Sequence, residues 1–325
     1  MTEPGAETPA TVAIDLGGTN VRAAVVAADG TVVARAQRPT PPDDPQPTAL
    51  VELVTEVCAT AGDAPVAGAV VGVPGIVDHD ENALDRAPNL PQAWIPWLRG
   101  SWLGEHMGLD VSLANDADLA AVGESAFGAG RRFRDVAYVT ISTGVGAGVV
   151  VGGRLVRGRN SGGEIGHTVI DHRAALAGRP STVEELGAGP AIAAAAASAG
   201  IAERDAALAD LVRSGHPAAT EVWNAAIEAV GIGITNLAWL VSPQVVVIGG
   251  GVGRNIDIVA PPIERILAAR GPATDTPIQV AVVELGDDAA LAGAAAWFDA
   301  IAAGPQIGLT DDRAGGAAAL VGSQG

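Results

Sequence analysis

One local pattern occurs twice in this chain of 325 residues, and it constrains the fold more than any other feature. Residues 11–16 (TVAIDL) have the unbroken apolar character of a buried strand, and the turn Gly17-Gly18-Thr19 follows. Residues 20–27 (NVRAAVVA) read as a second strand, Asp29-Gly30 as a two-residue hairpin turn, and 31–36 (TVVARA) as a third strand. The same order returns about 127 residues further on. There it is strand 136–142 (VAYVTIS), glycine turn TGVGAG, strand VVV, turn Gly152-Gly153 and strand RLV. A supersecondary unit repeated within one chain predicts two related lobes with a cleft between them.

The intervening residues alternate between helix and strand. The patterning predicts a helix over 46–61, then a fully buried strand over 67–73 (AGAVVGV) ended by Pro74-Gly75. A helix over 94–107, a short strand over 111–114 and a helix from Asp116 to about Phe127 follow. Later, Trp223, Ile227, Val230, Ile234, Leu237 and Val241 recur at steps of 4, 3, 4, 3 and 4, the spacing of one buried helix face. Residues 245–248 (VVVI) form a strand that runs into a third glycine cluster, Gly249, Gly250, Gly251 and Gly253. Such alternation specifies an α/β fold. Residues 229–253 carry no charge, yet their six glycines and the Ser242-Pro243 break argue for a helix end and a buried strand over a membrane span. With 3% aromatic residues, the core is expected to consist of Ala, Val, Leu and Ile.

The ionic composition removes several chemistries. All 19 basic residues are Arg. Without Lys there is no GxxxxGK[ST] phosphate loop, no protein-kinase strand lysine and no Schiff-base lysine. A single cysteine, Cys58, allows no internal disulfide, no CxxC pair and no cysteine-based zinc cluster. A formal net charge of −18 opposes binding to bare nucleic acid. The opening residues, MTEPGAETPA, lack the basic and apolar regions of a secretory signal, so the expected compartment is the cytoplasm.

Against that background the glycine clusters acquire meaning. Each follows a strand, and glycine lets a backbone turn tightly and bring N–H groups up to an anion. In a lysine-free chain, such turns and a metal ion are the main means of holding a polyphosphate. Asp15, at the end of the first strand, is placed to contact Mg²⁺, through water; the bland alternative is a turn partner for the 17–19 backbone. Asp116 opens a helix. It could be an N-cap, and in a cleft it could be a general base for a hydroxyl. Glu164 and His167, in SGGEIGH, pair a carboxylate with an imidazole as a ligand set for vicinal hydroxyls.

The segments AIDLGGTNVRAAVV, GVPGIVD, APNL, ANDADLAAVGESAFGAGR, ISTGVGAGVVVGGRLVRG, GGEIGH, VVVIGGGVG and DDAALAGAAAW occur in this order. Together they resemble the ROK family of bacterial sugar kinases, glucokinase-like members in particular, over residues 11–302. The resemblance implies the actin-like ATPase fold, with two RNase H-like lobes. Here these would be residues 11–114 with 289–303, and residues 115–288, leaving 1–10 and 304–325 as loose tails. It implies ATP and Mg²⁺ as cofactors and a 6-hydroxyl of a hexose, glucose first, as the acceptor. It implies Asp116 as catalytic base and Asn89, Asn115, Glu164 and His167 as sugar-binding residues, with Gly75 in the neighbouring GVPGIVD segment. Asp15, Gly17, Gly18, Thr19 and Asn20 would form the first phosphate motif, Thr143 and Gly144 the second, and Gly249, Gly250 and Gly251 the nucleotide-side turn. A homodimer or homotetramer is also implied.

One segment departs from the pattern. Where the family carries a CxCGxxGCLE loop that binds structural zinc with the GEIGH histidine, this chain reads TVIDHRAALAGRPSTVEEL. Aligned on GRP, Thr182 takes the place of the last cysteine and Glu184 that of a sugar-binding glutamate. The expectation is therefore no structural zinc and a retained Glu184. Other acceptors such as N-acetylmannosamine, a polyphosphate donor and a catalytically degenerate sugar-binding protein are the alternatives. A family repressor is set aside, because the fourteen residues before Asp15 would not hold a helix-turn-helix module.

Overall fold

The computed structural model describes residues 8–160, 162–202, 205–273 and 275–301, with the side chains of 205 and 206 excepted. The expected tails fall outside the described residues except at 8–10, and Ala10 already belongs to the first strand. The predicted repeat is present as two five-stranded sheets of one topology. In the first, β1 (Ala10–Leu16), β2 (Asn20–Val26) and β3 (Val32–Pro39) form an antiparallel meander. Strands β4 (Val66–Val73) and β7 (Val111–Asn115) then add in parallel beside β1, giving the order β3-β2-β1-β4-β7. A small hairpin, β5 (Ile76–Asp78) with β6 (Ala83–Arg86), lies between them in sequence. The second sheet repeats the scheme with β8 (Val136–Ile141), β9 (Val145–Val151), β10 (Arg154–Leu155), β11 (Val245–Gly249) and β12 (Gln279–Val282), in the order β10-β9-β8-β11-β12.

Helices α1 (Thr48–Ala61) and α2 (Gly100–Met107) belong to the first half. α3 (Asp116–Ala126) links the halves. α4 (His172–Leu176), α5 (Val183–Gly187), α6 (Gly189–Ser198), α7 (Asp205–Arg213), α8 (Pro217–Val241), α9 (Gly250–Gly253) and α10 (Ile256–Arg270) belong to the second, and α11 (Ala289–Ile301) is the last element of the described residues.

Strand alternation explains how these stack in five layers. On β1, Val12, Ile14 and Leu16 face one apolar cluster with α1 and α2 (Leu50, Leu53, Leu103), while Ala13 faces another. On β8, Ala137, Val139 and Ile141 face the cluster of α5, α6, α8 and α10, while Val136 and Tyr138 face the opposite way. The layer shared by both sheets holds α3 and α11 and is rich in alanine, including Ala117, Ala120, Ala121 and Ala294. Small residues let those helices approach closely. A Cβ on Gly123 would lie 2.1 Å from the Ala289 carbonyl oxygen, and one on Gly293 would lie 2.0 Å from that of Leu119.

Four expectations change. The segment 94–107 is not one helix: a 3-10 turn, Gln92–Trp97, contains Pro96, and α2 starts only at Gly100. The glycine turn after β8 is shorter than TGVGAG, because β9 begins at Val145 and takes up Gly146 and Gly148. The core includes Trp94, Trp223 and Trp297, each 2% exposed or less, so the few aromatics are central to packing. Asp116 is not the N-cap of α3; Asn115 is. α8 is long and apolar enough to cross a membrane by length and composition, and it turns its Trp223–Ile227–Ile234 face into the second lobe's core. It ends at Ser242 in a left-handed conformation (φ 47°) before Pro243.

Candidate active site

The site forms where the parallel strands of both sheets end. β1 delivers Asp15 and the first glycine turn, β4 delivers Pro74-Gly75, and β7 delivers Asn115 to the start of α3. β8 delivers Ser142, Thr143 and Gly144, and β11 delivers Gly249. Ligands of open α/β sheets sit at such carboxyl ends. A separate concavity of about 720 Å³ lies at the opposite ends of β4 and β7, around Gly100, Gly104 and Asp110, and contains none of these groups.

Asp15 shares the parity of Ala13 on β1, so it faces the layer between the sheets. Arg22 is its cross-strand partner in the β1–β2 register. The Arg22 guanidinium donates through Nε (3.0 Å) and through Nη2 to Asp15 Oδ2. Both of these bonds go to Oδ2, and neither engages Oδ1. One carboxylate oxygen beside a glycine turn fits Mg²⁺, an ion that keeps most of its waters. The turn itself closes by Gly17 N–H donating to the Asn20 carbonyl at 2.9 Å, with Gly18, Thr19 and Asn20 exposed. Gly18 is needed for close approach: its Cβ would lie 2.3 Å from the Asn89 carbonyl oxygen. The turn thus meets the APNL segment, for which the family resemblance implies a contact with the sugar.

Asn115 caps α3, its Oδ1 accepting from the N–H groups of Ala117 (2.8 Å) and Asp118 (3.3 Å). Its Nδ2 donates to the Gly75 carbonyl at 3.0 Å. A side chain at Gly75 would collide with Arg86 O at 2.1 Å, so this contact depends on glycine. Asn115 thereby frees Asp116 from capping and fixes it at the first helical position. Asp116 Oδ1 accepts from Ala117 N–H at 2.9 Å. Burial, then the neighbouring Asp15 carboxylate and Glu164, push the Asp116 carboxyl up to about 6 from its ordinary 3.8. Residues from two other motifs, Asp15 and Glu164, therefore lie within electrostatic reach of this carboxylate.

The GEIGH loop lies across β9 because of its glycines. Cβ atoms on Gly163 and Gly166 would fall 1.8 Å from Ala147 O and 2.0 Å from Val145 O. Glu164 and His167 approach to 3.8 Å, and the His167 side chain is 70% exposed. Glu184 reaches the second glycine turn: its Oε2 accepts from Val145 N–H at 2.9 Å and would lie 2.5 Å from a Cβ on Gly144. Thr143 is exposed beside it.

The segment standing in for the zinc loop is closed by hydrogen bonds. Ile170 N–H donates to Ser181 O at 2.8 Å, and Val183 N–H to Thr168 O at 3.1 Å. Asp171 caps α4. Thr182 and Glu185 form a reciprocal capping box at the start of α5, which fixes the neighbouring Glu184.

At the third cluster the glycines divide by role. Gly249 and Gly250 are there for packing, since their Cβ atoms would meet Tyr138 Oη at 2.4 Å and Ile141 O at 2.4 Å. Gly250 is also left-handed (φ 83°). Gly251 faces open space and is free to approach a ligand.

Two residues were not singled out in the sequence. Arg22 could have been found by pairing Asp15 across the hairpin. Gly189, the first residue of α6, donates to Ser142 O at 2.7 Å and lies near Val252, joining the second and third turns. Its signal was faint, a glycine before a helix-starting proline.

Comparison with known proteins bears on this geometry. The family model described as "ROK family" matches residues 11–301. A glucokinase of Streptomyces coelicolor is 30% identical over 314 residues, covering 88% of this chain and 96% of that protein. An N-acetylmannosamine kinase of Escherichia fergusonii is 33% identical, covering 75% of this chain and 83% of that protein. Among solved structures, a ROK family glucokinase from Streptomyces griseus in complex with glucose and AMPPNP superposes with a TM-score of 0.72. It is 28% identical and covers 89% of this chain and 98% of that one. The fold and the family expected from the motifs both hold.

Proposed function

The chain belongs to the ROK family, and from that premise we propose that it is an ATP-dependent hexose kinase acting on the 6-hydroxyl of glucose. The observation that carries this reading is Asp116. It is a cleft carboxylate whose pKa is raised to about 6 and whose helix is capped by a different residue. A base of that strength is ionised at neutral pH and still able to take a hydroxyl proton.

The other residues divide the remaining work. Asn89, Glu164, His167 and Glu184 would hold the sugar hydroxyls. Asn115, whose Oδ1 is committed to the cap, could offer the sugar only its second Nδ2 hydrogen. Gly75 shapes this wall through its carbonyl contact with Asn115. The turns at 17–19 with Asn20, at Thr143 and Gly144, and at 249–251 would hold the phosphates. Mg²⁺, which Asp15 would hold through water, would neutralise charge on the transferred phosphoryl group. Phosphoryl transfer requires positioning and charge stabilisation more than covalent help, and this site is built for the former.

The two sheets and the α3–α11 crossing support a division into lobes 11–114 with 289–303 and 115–288. An ATP-using enzyme of this kind would work in the cytoplasm. It would assemble as a homodimer or homotetramer, for which exposed Trp239 and Leu240 on α8 supply apolar surface.

A second acceptor, N-acetylmannosamine, is supported by the 33% identity to the N-acetylmannosamine kinase of Escherichia fergusonii. A coupled assay over a hexose panel, with ATP and with polyphosphate as donors, tests both. Glucose with MgATP should give the highest kcat/KM. Turnover with no pair would defeat the kinase reading.

A further inference from the structure

The segment DDAALAGAAAW opens with Asp287 and Asp288, just before α11. Its first residues belong to the stretch 284–288, between β12 and α11, and both halves of the molecule hold this stretch. From α3, the buried Glu124 carboxylate accepts from Leu285 N–H at 2.8 Å and Glu284 N–H at 3.1 Å. From β3, Arg35 pairs with Asp288 at 2.8 Å. From β2, Arg22 Nη2 donates to the Asp287 carbonyl at 3.1 Å. From the residue that directly follows α9, Arg254 pairs with the Asp287 carboxylate.

These contacts form one path. The guanidinium that holds Asp15, at the first glycine turn, also holds Asp287. Asp287 in turn holds Arg254, at the end of the third turn. We propose that Asp287 is a positioning residue that ties the first glycine turn to the third and so fixes the spacing of the site that receives the donor's phosphates. The inference rests on the kinase reading for what lies between those turns.

The physical case depends on magnitude. Arg254 and Asp287 are 47% and 69% exposed, and a pair so exposed adds little to global stability. A small displacement of one turn against the other, however, is felt by a ligand that touches both. Loss of the tie should therefore appear in donor binding and leave acceptor binding and melting temperature alone.

The test uses Asp287→Asn, which keeps the carbonyl that Arg22 needs, and Arg254→Gln. It adds their double variant and the exchanged pair Asp287→Arg with Arg254→Asp. Each single variant should raise KM for MgATP by about five- to tenfold, with KM for glucose unchanged within about twofold. The double variant should be no worse than either single one, and the exchanged pair should recover part of the loss. Equal movement of both KM values, an unchanged KM for MgATP, or additive single effects would overturn the tie. Calorimetric titration with MgATP separates this from failure of the functional reading. If the wild type binds MgATP and phosphorylates no hexose, the kinase reading falls, and the affinity ratio of Asp287→Asn to wild type still decides the tie.

Discussion

Asp116 is made basic at some expense to the fold. Its carboxyl titrates near 6 in the folded protein, against an ordinary value of 3.8. Between those pH values the folded state keeps a proton that the unfolded chain has lost. Stability therefore falls as pH rises from about 4 to about 6, and at neutral pH the ionised group opposes folding by on the order of 3 kcal/mol. Asp116→Asn removes the charge and keeps an oxygen for Ala117 N–H. The variant should melt several degrees above the wild type at pH 7.5, and the difference should close as the pH falls below about 4. A lower melting temperature at pH 7.5 would show that burial does not penalise this carboxylate. The gain in stability should accompany loss of activity, the trade expected of a site held in a charged, partly buried state. The sequence identified Asp116 because an aspartate opening a helix after a strand is visible in one dimension. That Asn115, and not Asp116, caps the helix was not visible, because both residue types are strong caps and only the geometry chooses.

At the scale of elements, the site depends on how closely α3 lies on the second sheet. Gly148 on β9 sets that distance: a Cβ there would meet Ala117 O at 2.5 Å and Ala121 Cβ at 2.6 Å. Gly148→Ala should push the first turn of α3 outward, costing about 1–3 kcal/mol in denaturant unfolding. It should lower kcat well beyond its effect on stability, because Asp116 sits on that turn. A variant with wild-type kcat would show that α3 tolerates displacement. In the loop that replaces the zinc motif, Thr182→Ala should cost about 1 kcal/mol by removing the cap. It should raise KM for the sugar through Glu184, and an unchanged KM would detach Glu184 from the acceptor. The strands, α8 and the hairpins were legible because their periodicity and turn residues are local. The early start of β9 was hidden, since Gly146 and Gly148 look like turn glycines when both lie within the strand and Gly148 packs under α3.

For the whole molecule, the duplicated pattern determined the architecture before any contact was known. Two copies of one strand scheme gave two sheets of identical order. Which helices would fill the space between them was not in the pattern, because α11 returns from the far end of the chain to cross α3. Nor could the tie at 284–288 be read in one dimension. It joins residues such as Arg22 and Asp287 that are distant in sequence, through backbone carbonyls and surface charges that leave no periodic trace. Closure of the two lobes over the sugar should exclude water from the donor. Hydrolysis of MgATP without sugar should therefore be at least about 100-fold slower than phosphoryl transfer with it. Comparable rates would remove closure from the mechanism.

The central claim is that a carboxylate with a pKa near 6, seated between the lobes, takes the proton from the acceptor hydroxyl. The pH dependence of kcat/KM for glucose with saturating MgATP tests it most directly, in the wild type and in Asp116→Asn. The wild type should lose activity about tenfold per pH unit below about 6. The variant should be at least about 100-fold slower across the range and lack that limb. A wild-type profile that stays flat to pH 5, or an Asp116→Asn enzyme as active as the wild type, would contradict the account.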